Sequence, residues 1–270
     1  MQHNSMGRWG RRFALLALIA CSLQVSHSAH AASSVMIWPV DPVIEDDQRA
    51  TALWLENRGT ESVSLQIRVF GWSQSGREEN FSNQDQLIAS PPLAVIPGGQ
   101  RQLIRLMNTA PVPEGKELAY RVLVDELPET DAANGKPSAT GGSDIGVKLQ
   151  IRYSLPLFVN GKGLWTKATP GKSRDAATMA RPALTWRAVR EGSENFLVVR
   201  NAGTAHARLT GVQWVGNAPN APPVVINAGL LGYVLAGSEM RWPLTAPPPM
   251  GHVPEAKVNG SESALRLPVQ

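Results

Sequence analysis

The sequence is poor in the residues that make cross-links and metal sites. Of its 270 residues only one, Cys21, is a cysteine. A disulfide framework or a cysteine-ligated metal centre is therefore excluded for the chain that follows. After residue 31 there are two histidines, His206 and His252, far apart and read as structural or surface groups. No His-Glu-x-x-His, Gly-x-Ser-x-Gly, phosphate-loop or dinucleotide fingerprint occurs, so neither an enzyme nor a cofactor is expected. No later run approaches the roughly 18 apolar residues of a membrane helix, so no integral membrane segment is expected. Charge is also scarce, at 18% of residues. Three arginines (Arg8, Arg11, Arg12) sit at the extreme N-terminus, and residues 32–270 carry 23 basic against 22 acidic side chains. Such a balance argues against nucleic acid as a partner. What remains is 43% hydrophobic with 24 glycines and 21 prolines, a turn-rich globular composition.

The N-terminus reads as an export signal. A basic start is followed by the short apolar stretch from Phe13 and by Ala29-His30-Ala31. These are the parts of a secretory signal peptide over residues 1–31, with cleavage expected after Ala31. A second reading takes Leu18-Ile19-Ala20-Cys21 as a lipoprotein box in which Cys21 is lipidated.

Beyond residue 35 helical periodicity is absent and short β-rich segments recur between turn residues. Strands are expected at 35–38, 50–57, 63–72, 87–95, 101–107, 119–127 and 146–159. A second set is expected at 183–189, 195–200, 206–215, 224–227, 230–234, 239–244 and 264–267. Breaks such as Asn57-Arg58-Gly59 and Pro97-Gly98-Gly99 separate them. The expected fold is all-β, with two immunoglobulin-like β-sandwich domains in tandem, 32–159 and 160–270. The Gly-rich join Asn160-Gly161-Lys162-Gly163 reads as a hinge, and 129–144 as a flexible hairpin loop. Asp46-Asp47 and Glu78-Glu79 are expected to be solvated turn charges. Most of the seven tryptophans after Trp9 are expected to be core or partly buried.

One segment is unusual. Val147, Leu149, Ile151, Tyr153, Leu155 and Leu157 alternate with Lys148, Gln150, Arg152, Ser154 and Pro156, so the apolar set shares one face. About thirteen residues at strand rise reach roughly 40 Å, longer than an ordinary strand. Periodicity alone reads as a core strand with a solvated back; the length leaves room for part of the ribbon to overhang its sandwich, and an overhanging apolar edge aggregates unless something pairs with it.

Several blocks resemble the periplasmic pilus chaperones, of which PapD is the best-known example. Ser90-Pro91-Pro92, Ile96-Pro97-Gly98-Gly99-Gln100 and Leu103-Ile104-Arg105-Leu106 are similar to one family block. The run Ala119 to Pro128, ending Glu126-Leu127-Pro128, is similar to the family's sixth strand, and 146–158 to its seventh. Trp38 to Glu45 and the Tyr120-Arg121…Asp125-Glu126 pattern look like the archaic, CsuC-type branch. The resemblance implies a periplasmic chaperone for pilus or fimbrial subunits, acting by donor-strand complementation and delivering them to an outer-membrane usher. It assigns Val147, Leu149, Ile151 and Tyr153 to pairing with the subunit. The family's usual basic anchors for the subunit's C-terminal carboxylate fall on or near Asp41 and on Pro156, and so are missing. Arg121 is the first substitute and Arg152 the second, because a guanidinium holds both carboxylate oxygens and stays charged when desolvated. Arg68 and Arg105 are expected to be solvated or structurally paired. The competing reading is an exported sandwich adhesin or glycan-binding module.

Overall fold

The computed structural model describes residues 35–128, 150–168, 171–216 and 222–270. The expected signal segment, Cys21, the 129–144 loop, Val147 and Leu149 lie outside the described residues. The first half forms β1 (Val35–Trp38), β2 (Val43–Ile44), β3 (Ala50–Asn57), β4 (Val63–Ser75), β5 (Glu78–Ser82), β6 (Leu87–Ser90), β7 (Leu93–Ile96), β8 (Arg101–Asn108), β9 (Glu117–Glu126) and β10 (Arg152–Asn160). The second forms β11 (Leu184–Glu191), β12 (Glu194–Asn201), β13 (Ala207–Gly216), β14 (Val224–Val234), β15 (Glu239–Leu244), β16 (His252–Val258) and β17 (Ala264–Arg266).

Two sandwiches result. One sheet of the first runs β1-β3-β8-β6; the other runs β2-β10-β9-β4-β5, with β7 also on β4. The second sandwich pairs β11-β12-β15 with β14-β13-β16-β17. Alternation along the strands buries one face of each sheet. Leu53, Leu55, Leu65, Ile104, Leu106, Val122 and Leu157 fill the first core, and Leu197, Val199, Leu209, Trp214 and Ala256 the second. Both sandwiches close a strand end with the same device, a buried asparagine in an Asn-x-Gly turn. Asn57 Nδ2 donates to the carbonyls of Glu61 (2.7 Å) and Ile96 (2.8 Å), while its Oδ1 accepts from Gly59 N. Asn201 does the same with Ala205, Val234 and Gly203.

Prolines explain where the strands depart from expectation. The single strand expected at 87–95 is two, because Pro91-Pro92 cannot continue a ladder; β6 stays on β8 while β7 crosses to β4. Conversely, 224–227 and 230–234 are one strand whose pairing with β13 slips register near Thr210, so Asn227-Ala228-Gly229 lies inside a strand. β16 is absent from the sequence reading although it lies between β13 and β17, because Pro254 and its charged neighbours disguise it.

The join at 160–163 is pinned where a hinge is expected. The Glu45 carboxylate is 4% exposed and accepts from Asn160 Nδ2 (2.8 Å), Thr166 Oγ1 (3.0 Å) and Lys167 N (2.8 Å). A Cβ on Gly161 would lie 2.0 Å from the Pro113 carbonyl oxygen, so only glycine fits that approach. Arg174 bridges Asp46 (2.8 Å) and Asp47 (2.9 Å), which are therefore paired groups that hold the segment after the join.

Candidate functional site

β10 is antiparallel to β9, with Arg152 opposite Asp125 and Pro156 opposite Arg121. Its other side meets β2 only at Phe158 and Val159. The N-terminal strand begins in the opposite sheet as β1 and reaches β10 only after Pro39 and Pro42 have turned it. Among the described residues, the outer backbone edge of Arg152–Leu157 consequently has no ladder partner.

The alternating ribbon divides along its length. Ile151 is 37% exposed; Tyr153 is half-buried and packs against the core; Leu155 and Leu157 are sealed inside it. Only the N-terminal part of the ribbon is thus available to another chain. The neighbouring outer face carries an ion triad, in which Arg68 Nη2 lies 2.8 Å from Asp125 Oδ2 and Arg152 Nε pairs with Asp125 Oδ1. Burial alone would raise the Asp125 carboxyl, but the two guanidiniums outweigh it and hold its pKa below the ordinary value. Arg152 remains largely in solvent.

The edge runs into a cleft of about 580 Å³ between the sandwiches, lined by β1, β9 and β10 on one side and by Arg208, Thr210, Leu230 and Tyr233 on the other. Arg121 forms part of its wall. Its side chain is 13% exposed, with Cζ 3.8 Å from the Trp72 ring centroid and 5.4 Å from that of Tyr233. Burial lowers its pKa and Glu79, 3.4 Å away, opposes that; a guanidinium stays protonated in either case. Glu79 is therefore engaged with Arg121, unlike the solvated turn charge expected. The structure brings Arg121, Arg152 and Tyr153 to one cleft.

Aromatic packing fixes the cleft's geometry. Trp72, Phe158, Tyr233 and Leu235 form a buried cluster spanning the two sandwiches. The His206 ring stacks on Phe158 at 3.4 Å and 3°. Gln74 donates to the Tyr233 carbonyl (2.9 Å) and accepts from Leu235 N (2.8 Å). Sequence reading missed Glu45, Phe158, Arg208 and Tyr233 as parts of this region. Their alternation marks strand faces, but no local signal says which face meets the other sandwich.

Residues 34–164 match the family described as pili and flagellar-assembly chaperone, PapD N-terminal domain. Over 215 residues the chain is 26% identical to the probable fimbrial chaperone SfmC of Escherichia coli (strain K12), covering 78% of this chain and 83% of that one. A solved relative is the chaperone of the CsuC–CsuE chaperone–tip adhesion subunit pre-assembly complex, from the archaic chaperone-usher Csu pili of Acinetobacter baumannii. It is 29% identical with a TM-score of 0.67, over 88% of this chain and 99% of that chain. The YadV chaperone, 17% identical with a TM-score of 0.56 over 86% and 96%, shares the fold. These neighbours are two-domain chaperones of immunoglobulin-like sandwiches, the architecture expected for this chain.

Proposed function

We propose, from the match of residues 34–164 to the pili and flagellar-assembly chaperone family, that this chain captures pilus or fimbrial subunits in the periplasm by lending them a strand. It then passes them to an outer-membrane usher. The observation that carries this is the edge of Arg152–Leu157, unpartnered among the described residues, headed by exposed Ile151 and ending at the cleft that holds Arg121. A subunit sandwich that lacks its last strand has an open groove. Main-chain hydrogen bonds along β10 and its extension would complete that sheet, and Val147, Leu149, Ile151 and Tyr153 would fill alternate groove pockets. Burial of each large apolar side chain is worth about 1.5–3 kcal/mol before ordering costs. The subunit's C-terminal carboxylate is taken by Arg121, with Arg152 as the second candidate. Release needs no nucleotide, since a better-fitting strand from the next subunit can replace the chaperone's own.

Co-expression with a pilus subunit tests the reading. Wild type recovers soluble subunit in the periplasmic fraction, and Ile151→Asp recovers none while remaining folded. Equal recovery by both would overturn it.

A further inference from the structure

The two edges of β10 differ in which residues bond across them. Glu126 N donates to the Ile151 carbonyl (3.1 Å), so Ile151 turns its backbone toward β9. Phe158 N donates to the Pro42 carbonyl (3.2 Å), so Phe158 turns its backbone toward β2. Between them the pairing with β9 runs from Arg152 to Asn160 without a register shift. Backbone groups of successive residues point to alternate sides of a strand in such a ladder. Tyr153, Leu155 and Leu157 therefore bond to β9, and Arg152, Ser154 and Pro156 present their backbone to the open edge. Of these three, Pro156 alone has a carbonyl but no N–H. Proline is tolerated in a sheet where its nitrogen faces away from the ladder, and that is its position here.

The neighbouring segment of this chain has the matching defect. β2 is parallel to β10, with Phe158 beside Val43 and Val159 beside Ile44. One rung further along the edge, the ladder would need the N–H of residue 156 to reach the Val40 carbonyl and the N–H of residue 42 to reach the carbonyl of residue 156. Both residues are proline, so neither donor exists. Two prolines, one on each segment, thus delete both bonds of the same rung, and the β2 ladder ends at Phe158. Val40, which would stand at that rung, is exposed and lines the same cleft as Pro156.

The missing rung decides who can use the edge. Residues 40–42 are tethered beside it, and a tethered strand competes at an effective concentration of about millimolar. A guest arriving from solution would face that competitor if the rung could close. We propose that Pro156, with Pro42 on the neighbouring segment, is the gatekeeper of the lent edge: it stops the chain's own β2 from advancing along β10 and makes Ser154 the last residue to donate to a guest strand. This deepens the subunit-capture reading and rests on it.

Residue-resolved amide exchange, together with co-purification of a co-expressed pilus subunit, tests the gate. Pro42→Val combined with Pro156→Val supplies both donors, so in the free protein the new amides at 42 and 156 exchange about tenfold more slowly than unbonded ones, and subunit recovery falls about tenfold. Each single substitution supplies one donor and lowers recovery less. When wild type captures a subunit, the amides of Arg152 and Ser154 slow, while those of Leu155 and Phe158, already bonded to β9 and to Pro42, keep their rates. Thermal unfolding of the double variant no earlier than wild type shows that the fold is kept; if it unfolds earlier, Pro156→Ala alone carries the same comparison. Fast exchange at the new amides, or full recovery despite slow exchange, overturns the gate and leaves the capture reading standing. If wild type recovers no subunit, or Ile151→Asp recovers as much as wild type, the capture reading itself fails, and the amides of the free double variant still decide whether the rung closes.

Discussion

Nδ1 of His206, on the second sandwich, lies 2.9 Å from Oε2 of Glu117, at the start of β9 on the first. The other Glu117 oxygen accepts from the His206 backbone N–H at 2.7 Å, so one carboxylate caps both groups. Glu117 is 2% exposed, and the His206 ring lies flat on Phe158. This contact sets the walls of the cleft.

The expected effect of His206→Ala follows from that burial. It removes the ring stack and leaves a buried carboxylate with fewer partners, a loss of about 1–3 kcal/mol. Unfolding should begin about 2–4 °C lower per kcal/mol in a protein of this size. Small-angle scattering should also show a broader spread of overall dimensions. An unchanged profile with an unchanged melting temperature would mean that the contact does not hold the sandwiches.

Leu157 and Ile151 share one ribbon and predict opposite outcomes. Leu157 is fully buried, so Leu157→Ala should cost about 2–5 kcal/mol of stability, read by denaturant unfolding. Ile151→Asp should cost little stability and abolish subunit recovery. If Ile151→Asp fails to fold, the exposed end of the ribbon belongs to this molecule's own core.

Asp125 predicts an acid dependence. Its folded pKa lies below the ordinary value, because Arg152 and Arg68 outweigh the burial that would raise it. Its contribution to stability is therefore complete above the unfolded carboxylate pKa of about 4 and is lost as pH falls through the folded pKa. Asp125→Asn removes that contribution. The difference in melting temperature between wild type and variant should be widest near neutral pH and should shrink below about pH 4. A difference that stays constant into acid would contradict the pairing.

Particular residues show how much was legible in advance. Apolar alternation at Val147–Leu157 marked the strand, which among the described residues runs from Arg152 to Asn160 rather than from the expected residue 146, and most strand positions followed from the same periodicity. The split at Pro91-Pro92 was missed because both flanks are β-rich; the prolines mark a change of sheet that a one-dimensional pattern does not show. Leu155 and Leu157 look like Ile151 in sequence. Only the turn of β1 away from the second sheet decides which of them another chain can reach. Arg121 was named in advance from the resemblance, and it lies in the cleft wall. Arg208 and Tyr233 were not, since their meaning depends on the docking of one sandwich against the other. Asp46-Asp47 read as surface charge until the join folds back over them.

The central claim is that residues 147–157 are lent to a subunit. Hydrogen–deuterium exchange on the protein, free and bound to a co-expressed pilus subunit, tests it most directly. The account predicts that amides of 147–154 exchange at least tenfold more slowly in the complex, while those of β3 and β8 stay as they were. Equal exchange at 147–154 in both states, in a complex that demonstrably holds its subunit, would contradict it.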